Sequence, residues 1–279
     1  MTGPGDLQPL QARLDAALLE AQGLRRELAR TRAELEDFTY SVSHDLRASL
    51  RHITSYAKIL KEDLGVTADA DIQSSLDAIS HAASHQARLI DGLMGLARIG
   101  RVALQSAPVS LEDTLADVRA TLEREMAHEL ASRTVQWQVD TPLPLVTGDA
   151  ALVRLVLHQV LANALKFTRE RAVAHIVINC TPPVAASDLP GHLLAGDGVL
   201  CQLHIRDNGV GYNPQYQDKL FRALSRLHSG ASYEGIGMGL AMCRAAVKRL
   251  GGDIAASGQV DGGCTVIITL PCQSPGVAR

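Results

Sequence analysis

The 279-residue chain carries 46% hydrophobic residues but only 3% aromatics, so Ala, Leu and Val must fill its core, a composition suited to helical bundles. A net charge of -3 and a pI near 6.4 exclude the basic field of a nucleic-acid binder. The length allows about two domains. No apolar run approaches the roughly 18 residues that span a bilayer. Cys180, Cys201, Cys243, Cys264 and Cys272 form no CxxC pair and read as reduced, buried thiols. The expectation is a soluble, cytoplasmic protein with no membrane span and no nucleic-acid partner.

Taken in order, Leu7, Leu10, Leu14, Ala17, Ala21, Leu24, Leu28, Thr31, Leu35, Phe38 and Val42 recur every three or four residues. That spacing predicts a coiled coil over residues 1–37, with a parallel dimer seam. Leu46, Leu50, Ile53, Ala57, Leu60 and Leu64 carry the seam on from Val42. After a polar turn at 65–71, Ile72, Leu76, Ile79, Ala83, Gln86, Ile90, Leu93 and Ala97 form a second stripe. Two helices joined by a short turn make an antiparallel hairpin, and two hairpins bury their stripes as a four-helix bundle. Residues 38–100 are therefore expected to form a homodimer. His44 lies two residues from both Val42 and Leu46, roughly 200° around the helix from each, on the outward face. An imidazole held in water beside the Asp45 carboxylate is a usable nucleophile or proton-transfer group.

Residues 101–108 read as a linker, and residues 109–272 as a second domain followed by a tail, 273–279. Ser110 with Asp113 resembles a capping box opening a helix through about Ala131. Val135, Trp137 and Val139 read as a strand, 149–167 as a helix, and 175–180 and 199–206 as strands. A helix over 238–250 and strands over 253–256 and 265–270 complete the domain. The fold class is thus α plus α/β: coiled coil, dimeric helical bundle, then a two-layer α/β sandwich.

Three stretches of the second domain carry chemistry. In HQVLANALKFT, Asn163 and Lys166 share one helix face; an amide oxygen is a hard ligand for Mg²⁺, and Lys suits a phosphate. In RDNGVGY, Asp207 ends a strand beside Gly209 and Gly211, where a carboxylate can accept an exocyclic amino group such as that of adenine. In GIGMGLAM, Gly235, Gly237 and Gly239 precede a helix whose free N–H groups favour phosphate. Singly each is ordinary, since an Asn on a helix is usually solvated and DNG is usually a turn. Together they offer a metal ligand, a base reader and a phosphate cradle.

SVSHDLRASLRHI resembles the phosphoacceptor box of sensor histidine kinases, close to the phytochrome-type form. HQVLANALKFT is similar to their N box, RDNGVGY and GIGMGLAM to their two glycine boxes, and KLFRALSRLH to their phenylalanine box. Five boxes in the family's order cover about 38–270. The resemblance implies a homodimerising phosphoacceptor bundle and a Bergerat-type ATP-binding domain. It further implies that His44 takes the γ-phosphoryl group of Mg·ATP and passes it to an aspartate of a response regulator receiver domain. By position, Asp45 orients or deprotonates His44, Asn163 holds Mg²⁺, Lys166 faces phosphate and Asp207 reads adenine. Gly209, Gly211, Gly235, Gly237 and Gly239 shape the pocket; Phe221 packs a lid over 212–234, with Arg226 or His228 near the phosphates.

Four departures from the family pattern matter. Ser49 stands where a proline usually follows the histidine, which leaves the helix straighter. Gln159 stands where the N box usually has a first Asn; it still offers an oxygen, so it joins Asn163 as a metal ligand. Ala48 replaces a Thr or Asn linked to dephosphorylating the regulator. Only the coiled coil precedes the bundle, so input is expected from a separate sensor protein or an upstream sensor domain. Ser49 and Gln159 also motivate the alternative: a dimeric signalling scaffold with weak catalysis.

Overall fold

The computed structural model describes residues 7–65, 69–101, 103–140, 142–185, 199–227 and 233–273. They fall into two compact units, Met1–Ala97 and Arg98–Arg279.

In the first unit, α1 runs unbroken from Leu7 to Leu64, and α2 spans Ala70–Arg101, its last turn belonging to the second unit. Gly65 ends α1 at φ 59, the left-handed conformation glycine adopts without a Cβ penalty. Residues 66–68 of the expected turn lie outside the described residues. The helices meet along seven-residue lines: Ser43, Leu50 and Ala57 on α1, and Leu76, Ala83 and Ile90 on α2, are buried. Arg47 bonds Asp91 and Lys61 bonds Asp77, each at 2.6 Å and two heptads apart on both helices, which fixes an antiparallel register. Such exposed pairs set alignment more than they add stability.

The single seam read from the sequence is divided here. Leu50 and Ala57 enter the hairpin, whereas Val42, Leu46, Ile53, Leu60 and Leu64 remain exposed, as do Ile72, Ile79 and Leu93 on α2. An apolar stripe this wide exceeds what one partner helix covers. Ser49 sits in uninterrupted helix, its Oγ donating to the Asp45 carbonyl at 3.2 Å.

The second unit opens with β1 (Ala107–Ser110) and α3 (Leu111–Glu125), followed by a short α4 (Ala127–Leu130). The Ser110 side chain accepts from the Asp113 N–H, as the capping pattern predicts. The helix expected through Ala131 breaks at Met126 (φ -106, ψ 16). The periodicity runs across the break because Met126 and Leu130 both still pack on the core. Then come β2 (Thr134–Val139), β3 (Leu145–Gly148), α5 (Ala150–Phe167), β4 (Val173–Cys180), β5 (Val184–Ala185), β6 (Val199–Asp207), α6 (Gly239–Arg249), β7 (Asp253–Gln259) and β8 (Gly263–Pro271). The main sheet has the order β2-β4-β6-β8-β7, with β5 on β6. Its β2–β4 pair is parallel and its other pairs antiparallel. A separate two-stranded sheet pairs β1 with β3. β1, β3 and β5 are too short to show a period of two and were not anticipated; β1 occupies the end of the stretch read as linker.

Alternation builds one buried sheet face: Ile176 and Ile178 on β4, Leu203 and Ile205 on β6, Ile268 and Leu270 on β8. α5 packs beside both α3 and α6. α5 is also 18 residues long with mean hydropathy 1.3, enough to cross a membrane by length and composition, which corrects the expectation of no such run. The reason is burial: seven of its side chains, from Val153 to Leu165, lie in the core.

Asp149 anchors that helix. Its carboxylate accepts from the N–H groups of Ala151 at 2.9 Å, Leu152 at 3.3 Å and Gln105 at 3.1 Å. These bonds, Gln105's first, hold it below the usual carboxylate range. A depressed folded-state pKa contributes stability that is present at neutral pH and lost as pH falls. Asp149→Ala is therefore expected to cost about 1–2 kcal/mol in denaturant unfolding at pH 7, with the deficit shrinking at acid pH.

Candidate functional site

A cavity of about 270 Å³ opens between the C-terminal half of α5, the adjoining ends of β6 and β8, and the segment entering α6. Gln159, Asn163 and Lys166 reach it from α5, spaced so that they share a face; Asp207 reaches it from β6. Gly211, Arg226, Gly235, Gly237 and Gly239 line it as well. Eight residues separately singled out in the sequence, together with Gln159, thus converge on one concavity.

Asp207 is its buried charge, 7% exposed. One carboxylate oxygen accepts the Gly209 N–H at 2.8 Å and the Cys264 N–H at 3.3 Å. Burial pushes the group up to about 6, against the pull of those two bonds. The β6–β8 register places Asp207 opposite Cys264, so the second donor comes from the neighbouring strand. Burial, with Asp207's charge, pushes the Cys264 thiol up to about 12 and keeps it neutral.

At the other end, α6 starts at Gly239 with no side-chain cap, which leaves first-turn N–H groups for a ligand. A Cβ at Gly239 would stand 2.5 Å from Gln159 Oε1, so that amide lies against the helix start. Gly237 (φ 71) has no room for a Cβ, which would meet the Ser225 carbonyl at 2.5 Å. Lys166 donates to the Glu234 carbonyl at 3.2 Å and its ammonium stands 4.4 Å from the Phe167 ring centroid. Desolvation, then the Arg226 and Arg169 charges, lower its pKa. Arg226 donates to the Tyr233 carbonyl at 2.9 Å, which ties together two residues of the cavity lining.

Other residues fall elsewhere. Gly209 does not line the cavity; its missing Cβ lets the chain pass the Phe167 carbonyl, which a Cβ would meet at 2.6 Å. Phe221 packs half-buried on the core while its neighbour Leu220 lines the cavity. His228 lies outside the described residues, and the described part of the expected lid forms a 3-10 helix over Pro214–Lys219. The sequence does not single out Ile205, Met238, Cys264 or Val266 in the lining, whereas Tyr212 and Tyr233 fall inside the expected lid, 212–234. Tyr212, directly after DNGVG, was within reach of the motif; Cys264 and Val266 depend on strand pairing that no local pattern reveals.

In the first unit, His44 is exposed, its side chain at 64%, and Nδ1 lies 3.3 Å from Asp45 Oδ1. Among the described residues no group of three or more His, Cys, Asp or Glu side chains could hold a metal.

Two family models match the chain. The His Kinase A (phospho-acceptor) domain covers residues 34–101, and the histidine kinase-, DNA gyrase B- and HSP90-like ATPase domain covers residues 148–274. Cyanobacterial phytochrome A of Nostoc sp. is 29% identical over 253 residues, 90% of this chain and 30% of that protein. The sensor protein KdpD of Escherichia coli is 29% identical over 290 residues, 97% of this chain and 30% of KdpD. The methanogenesis regulatory histidine kinase FilI of Methanothrix harundinacea is 27% identical over 266 residues, 94% of this chain and 28% of FilI. The chain thus spans about 30% of the length of these relatives. Full-length ShkA, solved with AMPPNP, shares the fold at a TM-score of 0.59 and 22% identity, over 86% of this chain and 47% of ShkA. The histidine kinase AdeS of Acinetobacter baumannii does so at 0.52 and 19%, over 83% of this chain and 98% of AdeS. With a phosphoacceptor helical hairpin followed by an ATPase sandwich, and with both family models matched in that order, this chain belongs to the sensor histidine kinases.

Proposed function

We propose that this chain is an ATP-dependent autokinase that phosphorylates His44 and relays the phosphoryl group to an aspartate of a response regulator receiver domain. The observation that carries the reading is the pairing, in one cavity, of a buried carboxylate with an uncapped helix N-terminus. Asp207 accepts the adenine amino group, and the α6 N-terminus, with Lys166 and Arg226, takes the phosphates. Asn163 and Gln159 present amide oxygens one turn apart on α5, which suits Mg²⁺ held mainly by nucleotide phosphates. When bound, Mg²⁺ neutralises charge on the β- and γ-phosphates.

In the tautomer that donates Nδ1–H to Asp45, the Nε2 lone pair of His44 is the nucleophile. The N–P bond forms as the bond from the γ-phosphorus to the bridging oxygen breaks, and ADP leaves. Asp45 stabilises the positive charge that the ring acquires. The receiver aspartate then attacks the same phosphorus, and the histidine is regenerated.

A second chain covers the exposed Val42, Leu46, Ile53 and Leu60 line, making the homodimer; exposed apolar residues in a continuous stripe mark an interface. Signal input reaches the kinase through α1, and the reactions run in the cytoplasm, where ATP is supplied.

Four outcomes test this reading. Incubation with γ-labelled ATP and Mg²⁺ should give label that survives alkali and is lost in acid, absent in His44→Gln. Label retained on that variant removes His44 as acceptor, and no label despite ATP binding favours the scaffold alternative. Asp207→Asn should weaken ADP binding in calorimetry by about 1.5–3 kcal/mol, the value of a hydrogen bond to a charged group, while leaving the unliganded fold no less stable. Wild-type binding also falls as pH drops below about 6, where Asp207 gains its proton. Ile53→Glu should shift the chain toward monomer in sedimentation equilibrium, since a charge placed in the seam loses its hydration.

A further inference from the structure

Arg171 follows α5, stands 32% exposed in its side chain, and does not line the cavity. Its guanidinium nevertheless reaches three backbone carbonyls on two separate turns. Nε donates to Asn208 O at 2.9 Å, and Nη2 to Gly209 O at 2.9 Å and Asp261 O at 3.2 Å, with the Asp261 carboxylate 3.4 Å away. The first turn supplies one donor to Asp207: the Asn208–Gly209 peptide whose carbonyl Arg171 binds is the peptide whose N–H bonds Asp207 Oδ1 at 2.8 Å. In a planar trans peptide the C=O and N–H point in opposite directions, so anchoring the carbonyl aims the N–H. The second turn joins β7 to β8 and leads into Cys264, whose N–H is the other donor at 3.3 Å. The turns also bond each other, Asp261 N–H to the Val210 carbonyl at 2.8 Å.

We propose that Arg171 is a positioning residue for nucleotide binding: it braces both backbone turns whose N–H groups hold the Asp207 carboxylate toward the base. The proposal rests on the reading of Asp207 as the base contact. Arg suits the task because its planar fork presents several donors in fixed directions, which a lysine ammonium does not. Titratable groups sharing the cavity with Asp207 are the Cys264 thiol on β8, Lys166 on α5, Tyr212 and Arg226 between β6 and α6, and Tyr233 and Glu234 shortly before α6.

The test is calorimetry of ADP binding to the full chain between about pH 5.5 and pH 8, for wild type, Arg171→Gln, Asp207→Asn and the double variant. Arg171→Gln is expected to weaken binding about tenfold at pH 7 and to move the acid loss of binding to higher pH, because weaker N–H donation favours the protonated carboxyl. In the Asp207→Asn background the same change should matter less than about twofold, since contacting residues couple. Unchanged affinity and pH profile in Arg171→Gln, or an equal loss in both backgrounds, overturns the proposal. If Arg171→Gln does not fold, Arg171→Lys is run through the same cycle, and wild-type affinity and pH profile there overturn it. Asp207→Asn alone binding ADP like wild type removes the base contact itself, and the positioning role with it; a loss there, with none from Arg171→Gln, removes only the latter.

Discussion

The ATPase unit depends on keeping one carboxylate ionised where water scarcely reaches. Asp207 is 7% exposed and its pKa is pushed up to about 6, so holding it charged at neutral pH costs about 3 kcal/mol. That cost is relieved as pH falls through 6, because the folded state then binds the proton more readily than the unfolded chain does. The fold retains the charge with two backbone N–H groups from different segments, one in the loop after β6 and one on β8. A carboxylate so held is ready to accept hydrogen bonds from a ligand without rearranging.

The glycines around it are explained by the same crowding. Gly211 adopts φ 58, and a Cβ there would fall 1.8 Å from the Gln259 carbonyl. Gly263, at φ 81, brings β8 so close that a Cβ would meet the Asp207 carbonyl at 2.0 Å. These positions let three backbone segments converge behind the carboxylate, leaving the face toward the cavity for a ligand. The glycines before α6 do different work: Gly237 lets the chain pass the Ser225 backbone, and Gly239 lets the helix start lie against the Gln159 amide.

Much of this was legible from residues alone because the chemistry-bearing groups lie in short local motifs. Asn163 and Lys166 are three residues apart on a helix, and α6 follows its glycines directly. What stayed hidden depends on non-local pairing. Cys264 meets Asp207 only through the β6–β8 register, and Arg171 acts through turns 37 and 90 residues further along the chain. In the helical unit the apolar positions were legible, but a period of three and four does not tell which line faces the hairpin partner. Only the packing assigns Leu50 and Ala57 to one surface and Ile53 and Leu60 to another.

The most direct measurement is a calorimetric comparison of ADP with inosine diphosphate on the wild-type chain at pH 7.5. The two ligands carry the same phosphates and differ where the adenine amino donor becomes an oxo acceptor. A carboxylate at Asp207 that reads this group predicts ADP binding at least tenfold tighter, with the preference diminishing as pH falls through 6. Equal affinities for the two nucleotides would contradict it and place the base elsewhere.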